Sequence, residues 1–231
     1  MAKHGKRFLE AVKQVDEVKN YPLAEAVSLA KKLATAKFDE TIEMHMRLGI
    51  DPRHSEQQIR STVMLPHGLG KTVRVLVFAE GEDARAASDA GADIIGGDEI
   101  INQIQKDNWM EFDAALAVPS MMSKVSKVAR ILGPRGLMPN PKAGTVVQSD
   151  DLGRAIQEVK AGRVEFRNDK TGNLHVPVGK ATFSEQALLE NAQAIVDAVS
   201  KMRPSSVKGQ YIRRLVVTST MGPSIRVENS A

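Results

Sequence analysis

The chain of 231 residues contains no cysteine, which excludes disulfides, thiolate metal sites and thiol catalysis. Aromatic residues make up only 4% of the sequence, so any core must be built from aliphatic side chains and methionine. Hydrophobic residues still reach 42%, which is enough for one large domain or two modest ones. A reducing compartment fits this composition.

Long apolar runs are also missing. The most apolar stretches, VRVLVFA at 73–79 and AALAV at 114–118, are far shorter than the about 20 residues that a membrane-spanning helix needs. The basic start, MAKHGKRFLEAVKQ, is not followed by the apolar core of a signal peptide. We therefore expect a cytoplasmic protein with no membrane partner.

No motif of catalysis or of cofactor binding is complete. HGLGKT at 67–72 would be a phosphate loop only with glycine at position 65, where Leu65 stands, and its lysine runs into a strand pattern instead of a helix. The five histidines show no metal-binding spacing, and no G-x-S-x-G elbow is present. We expect no enzymatic activity, no cofactor and no metal site.

Hydrophobic periodicity divides the chain into three parts. FDETIEMHMRL at 38–48 alternates as a half-buried strand does, with STVML at 61–65 as a candidate partner. From 73 to 160, apolar strands alternate with helices, including one at 120–132 and one at 150–160, as in a parallel α/β unit. Amphipathic strands then return.

The parts after residue 160 resemble the first part, so the middle of the chain reads as an insertion. RVEFR at 163–167 and LHVPV at 174–178 suggest a hairpin. Ser184 is predicted to cap the next helix, and YIRRLVVTST is predicted to be the final strand. In the first part of the chain, helices are predicted at 5–18 and 22–35. The fold class is therefore α/β and α+β: a discontinuous α+β domain of residues 1–67 and 161–231, carrying an inserted α/β domain of residues 68–160. Gly68, Gly70 and Gly162 at the two crossings are candidate hinge residues.

Charge separates the two predicted domains. Residues 1–70 and 160–231 carry 22 Lys and Arg against 15 Asp and Glu, a net charge of +7, whereas residues 71–159 carry 10 against 13, a net charge of −3. A basic domain beside an acidic one is the electrostatic outline of a protein that binds a polyanion with one part.

The stretch from 114 to 149 contains no acidic residue, yet it carries a Gly/Pro-rich loop flanked by Arg130, Arg135 and Lys142. Backbone N–H groups and basic side chains in such a loop suit contact with phosphate. A rigid loop that only packs against the rest of the protein would have the same composition. Both interpretations stay open from the residues alone.

The C-terminal segment VVTSTMGPSIR also has both a functional and a structural interpretation. With a period of two, Arg214, Val216, Thr218 and Thr220 share one face, and Met221 and Gly222 follow. Hydroxyls, a soft apolar side chain and a bare backbone suit contact with ribose and phosphate, but a threonine-rich edge strand is the plain alternative.

Two other segments have a functional and a structural interpretation. Phe38 beside Lys37 either fills the core at a helix-to-strand junction or stacks on a base. The turn that carries Arg167, Lys170, Thr171 and His175 is either a solvated charge cluster or an additional contact.

Several long strings together resemble one family. KHGKR, ATAKFDET, LPHGLGK, RILGPRGLMPNPKAGTV, AGRVEFRNDKTG and TSTMGPSIR, in this order over essentially the whole chain, closely resemble the bacterial ribosomal L-one family of the mobile large-subunit stalk. The resemblance implies a discontinuous domain that binds large-subunit rRNA, an inserted Rossmann-like domain and a flexible hinge.

The resemblance also implies partners and contact residues. The partners are large-subunit rRNA at the stalk, deacylated tRNA released from the exit site, the mRNA of the protein's own operon, which it represses, and other ribosomal components; the free protein is expected to be a monomer. The RNA contacts implied are Lys37, Phe38, Thr41, Thr218, Thr220, Met221 and Gly222, with Arg214 less firmly among them and the turn of Arg167, Lys170, Thr171 and His175 close by.

Overall fold

The computed structural model describes residues 5–228. The residues up to Gly70 and from Val164 onward form one compact unit, called here the first unit, and Lys71–Arg163 form the second unit. The boundaries predicted from the sequence lie three residues earlier in the chain, at 67/68 and 160/161.

The helices and strands follow the chain in this order. The strands are β1 Thr41–Leu48, β2 Arg60–Met64, β3 Val75–Phe78, β4 Ile94–Gly96, β5 Ala114–Ala117, β6 Arg163–Arg167, β7 Asn173–Lys180, β8 Ile212–Ser219 and β9 Ile225–Val227. The α-helices are α1 Lys6–Val12, α2 Leu23–Leu33, α3 Glu82–Asp89, α4 Asp98–Asp107, α5 Met122–Val125, α6 Ala129–Leu132, α7 Leu152–Ala161 and α8 Glu185–Lys201. None of the helices described is long and apolar enough to cross a membrane.

The first unit is built on a four-stranded sheet in the order β7-β1-β8-β9, in which neighbouring strands are antiparallel. The predicted alternation along β1 is confirmed, because Ile42, Met44, Met46 and Leu48 are buried. They join one core with apolar side chains of α2 and α8. The opposite face of the sheet carries the polar side chains, so the sequence period decides which face is available for binding.

Two predicted strand pairings are wrong. β2 pairs with β6 in a separate two-stranded sheet and not with β1, because both edges of β1 are occupied by β7 and β8. The predicted hairpin of β6 and β7 therefore splits between two sheets. Its turn still forms, with Gly172 at a φ of 79°.

The ends of the first unit also depart from prediction. Helix α1 ends at Val12 instead of continuing to residue 18. In the part predicted as its last turn, Asp16 accepts a hydrogen bond from Val18 N and forms a turn instead. The short edge strand β9 was not predicted. The Ser184 cap is confirmed, since its hydroxyl accepts from Ala187 N.

The second unit contains a parallel sheet in the order β4-β3-β5, which confirms the predicted parallel α/β pattern. Strand β3 is buried at every position, as a strand covered on both faces must be. The helix predicted at 120–132 is broken into the short helices α5 and α6 and intervening 3-10 turns. Within it, Ser126 donates its hydroxyl to the carbonyl of Ser123, a bond that competes with regular helix geometry.

The three candidate hinge glycines all have positive φ, at 64° for Gly68, 68° for Gly70 and 112° for Gly162. The Gly68 carbonyl accepts a hydrogen bond from Asn191, and a Cβ on Gly70 would collide with the ring of Phe183. The backbone at 68–70 is thus held within the first unit, and the hinge stays a prediction.

Candidate nucleic-acid interface

The outer face of the four-stranded sheet brings together most of the predicted contact residues. Across β1 and β8, Glu43 lies opposite Thr218, His45 opposite Val216 and Arg47 opposite Arg214. Beyond this ladder, Thr220 N donates to the Thr41 carbonyl at 3.0 Å. The face therefore changes from hydroxyls at the Thr41 end to arginines at the Arg47 end.

At the hydroxyl end, the loop of residues 36–40 and the turn of residues 219–222 lie side by side; we call them together the lip. Glu40 joins them, although it is only 1% exposed. Its carboxylate accepts hydrogen bonds from Ala36 N at 2.7 Å, from the Ser219 hydroxyl at 2.8 Å and from Met221 N at 2.9 Å. One buried side chain thus fixes both segments of the lip.

The surroundings of Glu40 favour its ionised form. Burial raises its pKa, but the backbone hydrogen bonds from Ala36 and Met221, the Ser219 hydroxyl and the charge of Arg7 lower it by more, so the pKa ends below its ordinary value. A buried carboxylate with three donors is a stable arrangement only while it stays charged.

The threonine hydroxyls in the lip and directly beside it are already used inside the protein. Thr220 Oγ1 accepts from Thr41 N at 2.9 Å and lies 3.2 Å from the Thr41 carbonyl. Thr218 Oγ1 donates into the turn, toward the carbonyls of Ser219, Gly222 and Pro223. A ligand therefore meets the remaining lone pairs of these oxygens, which accept hydrogen bonds, on a surface whose geometry is set in advance.

Phe38 and Met221 supply the apolar part of the lip. Phe38 is 55% exposed and Met221 is 51% exposed, so Phe38 does not fill the core, which was the structural alternative for it. Lys37 beside it is also exposed. An exposed ring next to a basic side chain is suited to stacking on a base or sugar.

Gly222 lets the turn close tightly. A Cβ at this position would lie 2.5 Å from the Ser219 hydroxyl, the group that binds Glu40. Any side chain here would have to displace that hydroxyl, and it would also cover backbone that a nucleic acid could approach.

Asp169 organises the turn between β6 and β7. Its carboxylate accepts from the Thr171 backbone at 2.8 Å, from the Thr171 hydroxyl and from the backbone and side chain of Asn173. Burial raises the pKa of Asp169, but these hydrogen bonds lower it far below the ordinary value. The Thr171 hydroxyl is thus committed to Asp169.

The other predicted residues of this turn are placed differently from one another. Lys170 and Arg167 are exposed, but Arg167 ends β6, which belongs to the two-stranded sheet. His175 lies on β7 directly opposite His45, with the two Nδ1 atoms 2.8 Å apart. Burial and the neighbouring His175 lower the pKa of His45, and Glu43 opposes this change only in part.

The basic loop lies in the second unit. Arg130, Arg135 and Lys142 are exposed, and the loop is shaped by Gly136 and Gly144 at positive φ and by the Asn140 side chain, which caps Lys142 N. Lys124, which precedes the loop in the chain, forms ion pairs with Glu80 at 2.7 Å and with Asp98 at 2.9 Å. The charge of Lys124 is therefore neutralised within the protein.

With the unit boundaries of the structure, the charge contrast is weaker than the sequence suggested. Lys160 and Arg163 belong to the second unit, so the first unit carries 20 basic and 15 acidic residues and the second carries 12 and 13. The net charges are +5 and −1. The first unit remains the cationic one.

Glu40 and Asp169 are the important residues that the sequence analysis missed. A sequence signal for Glu40 does exist. Glu40 lies two residues before Ile42 and four before Met44, so the alternating pattern places this charged residue on the core side of the strand. Within residues 5–228, no group of three or more metal-binding side chains occurs.

The sequence was compared with known families once this geometry was established. Residues 30–223 match the Ribosomal protein L1p/L10e family, a span that contains every residue of the lip. The chain belongs to this family. Ribosomal L1 proteins are structural and not enzymatic, which confirms the expectation that the chain is not an enzyme.

Curated L1 relatives cover nearly the whole chain. The large ribosomal subunit protein uL1 of Chloroflexus aggregans is 58% identical over 99% of this chain and 96% of its own length. The protein of the same name from Thermomicrobium roseum is 54% identical over 99% and 95%, and that from Persephonella marina is 52% identical over 99% and 95%. The family resemblance and the mixed α/β fold class predicted from the sequence are both confirmed.

Proposed function

We propose that this L1-family protein is a structural constituent of the large ribosomal subunit that binds large-subunit rRNA at the stalk through the lip. The observation that carries the proposal is the pair of exposed apolar side chains, Phe38 and Met221, on a lip whose backbone is fixed by Glu40. Rigid contacts and exposed apolar groups are what shape-specific RNA recognition requires.

Two steps of binding follow from the charges and the geometry. The first unit, with a net charge of +5, attracts the phosphate backbone at long range. The lip and the adjacent strand residues Thr41 and Thr218 then dock by contact. Phe38 stacks, the threonine hydroxyl oxygens, including that of Thr220, accept from ribose, and the backbone at Gly222 allows close approach. Lys37 pairs with a phosphate.

Substitution of Phe38 tests the proposal directly. We expect Phe38→Ala to weaken binding to a stalk fragment of large-subunit rRNA by about 1–3 kcal/mol, because one stacking contact is lost. The unfolding free energy should change by less than about 0.5 kcal/mol, since the ring is largely exposed. Filter binding and denaturant titration measure the two quantities.

Val18→Ala is the matched control, because Val18 is an exposed apolar residue (83%) outside the lip. It should leave RNA affinity unchanged. Wild-type affinity of Phe38→Ala for the stalk fragment would refute the role of the lip.

The same lip is proposed to bind the mRNA of the protein's own operon and so to repress its translation. A single surface cannot hold two RNAs at once, so rRNA should release mRNA by competition. In the same binding assay, Phe38→Ala should lower the affinity for both RNAs to the same extent. An unchanged affinity for the mRNA would contradict a shared site.

We further propose that the basic loop of the second unit assists release of deacylated tRNA from the exit site. Arg130, Arg135 and Lys142 are exposed, and no ion pair joins them to carboxylates of residues 5–228, so their charge is available to phosphates. Ribosomes that carry Arg130→Gln/Arg135→Gln should release exit-site tRNA more slowly than those with the control Arg85→Gln/Lys106→Gln. Equal release rates would exclude the loop from this role.

A further inference from the structure

We propose a second RNA phosphate site on the first unit: an arginine cleft formed by Arg47, Arg213, Arg214 and Arg226 at the end of the sheet opposite the lip. The inference rests on the proposed RNA-binding function and extends it to three arginines that neither the sequence patterns nor the family resemblance had suggested. Only Arg214 was a predicted contact.

A β-bulge builds the cleft. Along β1 and β8, Arg47 lies opposite Arg214 and Leu48 lies opposite Ile212, so Arg213 is an extra residue in β8. In a regular strand, two consecutive side chains point to opposite faces, and one of Arg213 and Arg214 would enter the core. Because of the bulge, both are exposed while Ile212 and Leu215 are buried.

The neighbouring strands add two more arginines. Arg47 lies directly opposite Arg214, and Arg226 of β9 lies opposite Val216, two residues farther along β8. Like charges placed directly opposite each other destabilise a sheet. No ion pair joins any of these four guanidinium groups to a carboxylate of residues 5–228. Their clustering therefore opposes folding and calls for an anion from outside.

Two adjoining cavities, which share Arg213 and Arg214, make up the arginine cleft and have room for that anion. One of about 500 Å³ is lined by Arg47, Arg213 and Arg214 together with His45, Asn173 and His175. The other, of about 620 Å³, is lined by Arg213, Arg214 and Arg226 with Asn20, Gln210 and Glu228. Glu228 is the one carboxylate among these lining residues.

The shape and charge of the cleft favour a phosphodiester backbone. Guanidinium groups present paired N–H donors that match phosphate oxygens, and several of them in a row suit a repeating anion. Thr41 and Arg47 are six residues apart on one strand, about 20 Å. One RNA can thus contact the lip with its bases and riboses and the cleft with its phosphates.

The salt dependence of binding separates the two contributions. Arg213→Gln/Arg226→Gln should weaken binding to the stalk fragment and reduce the slope of log K against log[salt] by roughly 1.4–1.8, which corresponds to two lost phosphate contacts. Phe38→Ala should weaken binding with an unchanged slope, because stacking releases no counterions.

The control is Lys32→Gln/Lys201→Gln, which removes two charges from helices α2 and α8 on the other side of the sheet. If Arg213→Gln/Arg226→Gln shows the same slope and the same affinity as this control, the proposal that the arginine cleft binds RNA phosphates is wrong. The same result is expected if the cleft binds an acidic protein surface instead of RNA. If the wild-type protein does not bind the stalk fragment, both the proposed function and the proposed phosphate site are refuted.

Thermal unfolding gives a readout that does not depend on RNA. Arg214→Gln should raise the unfolding midpoint, since the repulsion with Arg47 is removed, while it weakens RNA binding. A lowered midpoint would mean that the arginines serve the fold and would overturn the inference.

Discussion

Glu40→Ala is expected to lower the free energy of unfolding by about 3 kcal/mol, because it leaves the Ala36 N–H, the Met221 N–H and the Ser219 hydroxyl without their acceptor in a buried place. Glu40→Gln should cost about half as much, since the amide oxygen can keep the bond from Ala36 N and the NH₂ group can donate to the Ser219 hydroxyl, which leaves only Met221 N without an acceptor. Denaturant titration measures both.

The same substitution should weaken RNA binding although Glu40 is too buried to touch RNA. With Glu40→Ala, the turn at 219–222 is no longer fixed, and we expect affinity for the stalk fragment to fall about tenfold, the cost of ordering it on binding. Glu43→Ala is the matched control: Glu43 lies three residues away on β1 and is partly exposed, so its stability effect should stay within about 0.5 kcal/mol. An equal effect of both substitutions on stability would refute the role of Glu40.

The sign of the pH dependence follows from the lowered pKa of Glu40. A carboxylate whose pKa is lower in the folded state contributes its full stability above its ordinary pKa of 4.5 and loses it as the pH falls through the folded value. Wild-type protein should therefore lose stability in acid more steeply than Glu40→Gln. Parallel curves would mean that Glu40 is not ionised.

Gly222→Ala is expected to weaken RNA binding by about 10–100-fold, because it places a side chain where backbone must be approached closely. Its Cβ would lie 2.5 Å from the Ser219 hydroxyl, which it would push away from Glu40, and the methyl group would cover backbone at the contact surface. The unfolding free energy should fall by about 1–3 kcal/mol from overpacking. Gly133→Ala is the control, because nothing lies within 4 Å of a Cβ there.

A double variant separates the two consequences of Gly222→Ala. Ser219→Ala removes the clashing oxygen and leaves a Cβ at 3.6 Å, an ordinary contact. Stability of the double variant should therefore exceed the value expected from additive costs by about 1 kcal/mol. RNA affinity should stay low, because the methyl group remains; recovery of affinity would show that close approach at Gly222 is not needed.

The agreement between sequence and structure depends on how local each feature is. The alternation from Ile42 to Leu48 and the apolar strand at 75–78 are set by which residues tolerate burial, so their period predicted the faces correctly. Strand pairing was harder to predict. The sequence offered β2 as a candidate partner of β1, whereas both edges of β1 are occupied by strands more than 100 residues away in the chain.

The sequence by itself determined the family, the fold class, the basic character of the first unit and the outward face of Thr218 and Thr220, because each depends on residue type, order or period. Only the tertiary structure decided that Glu40 holds the lip together, that Phe38 is exposed and that a bulge leaves both Arg213 and Arg214 exposed. Those features require segments far apart in the chain to meet, and hydrogen-bond partners or strand register between distant segments leave no local pattern in a single sequence.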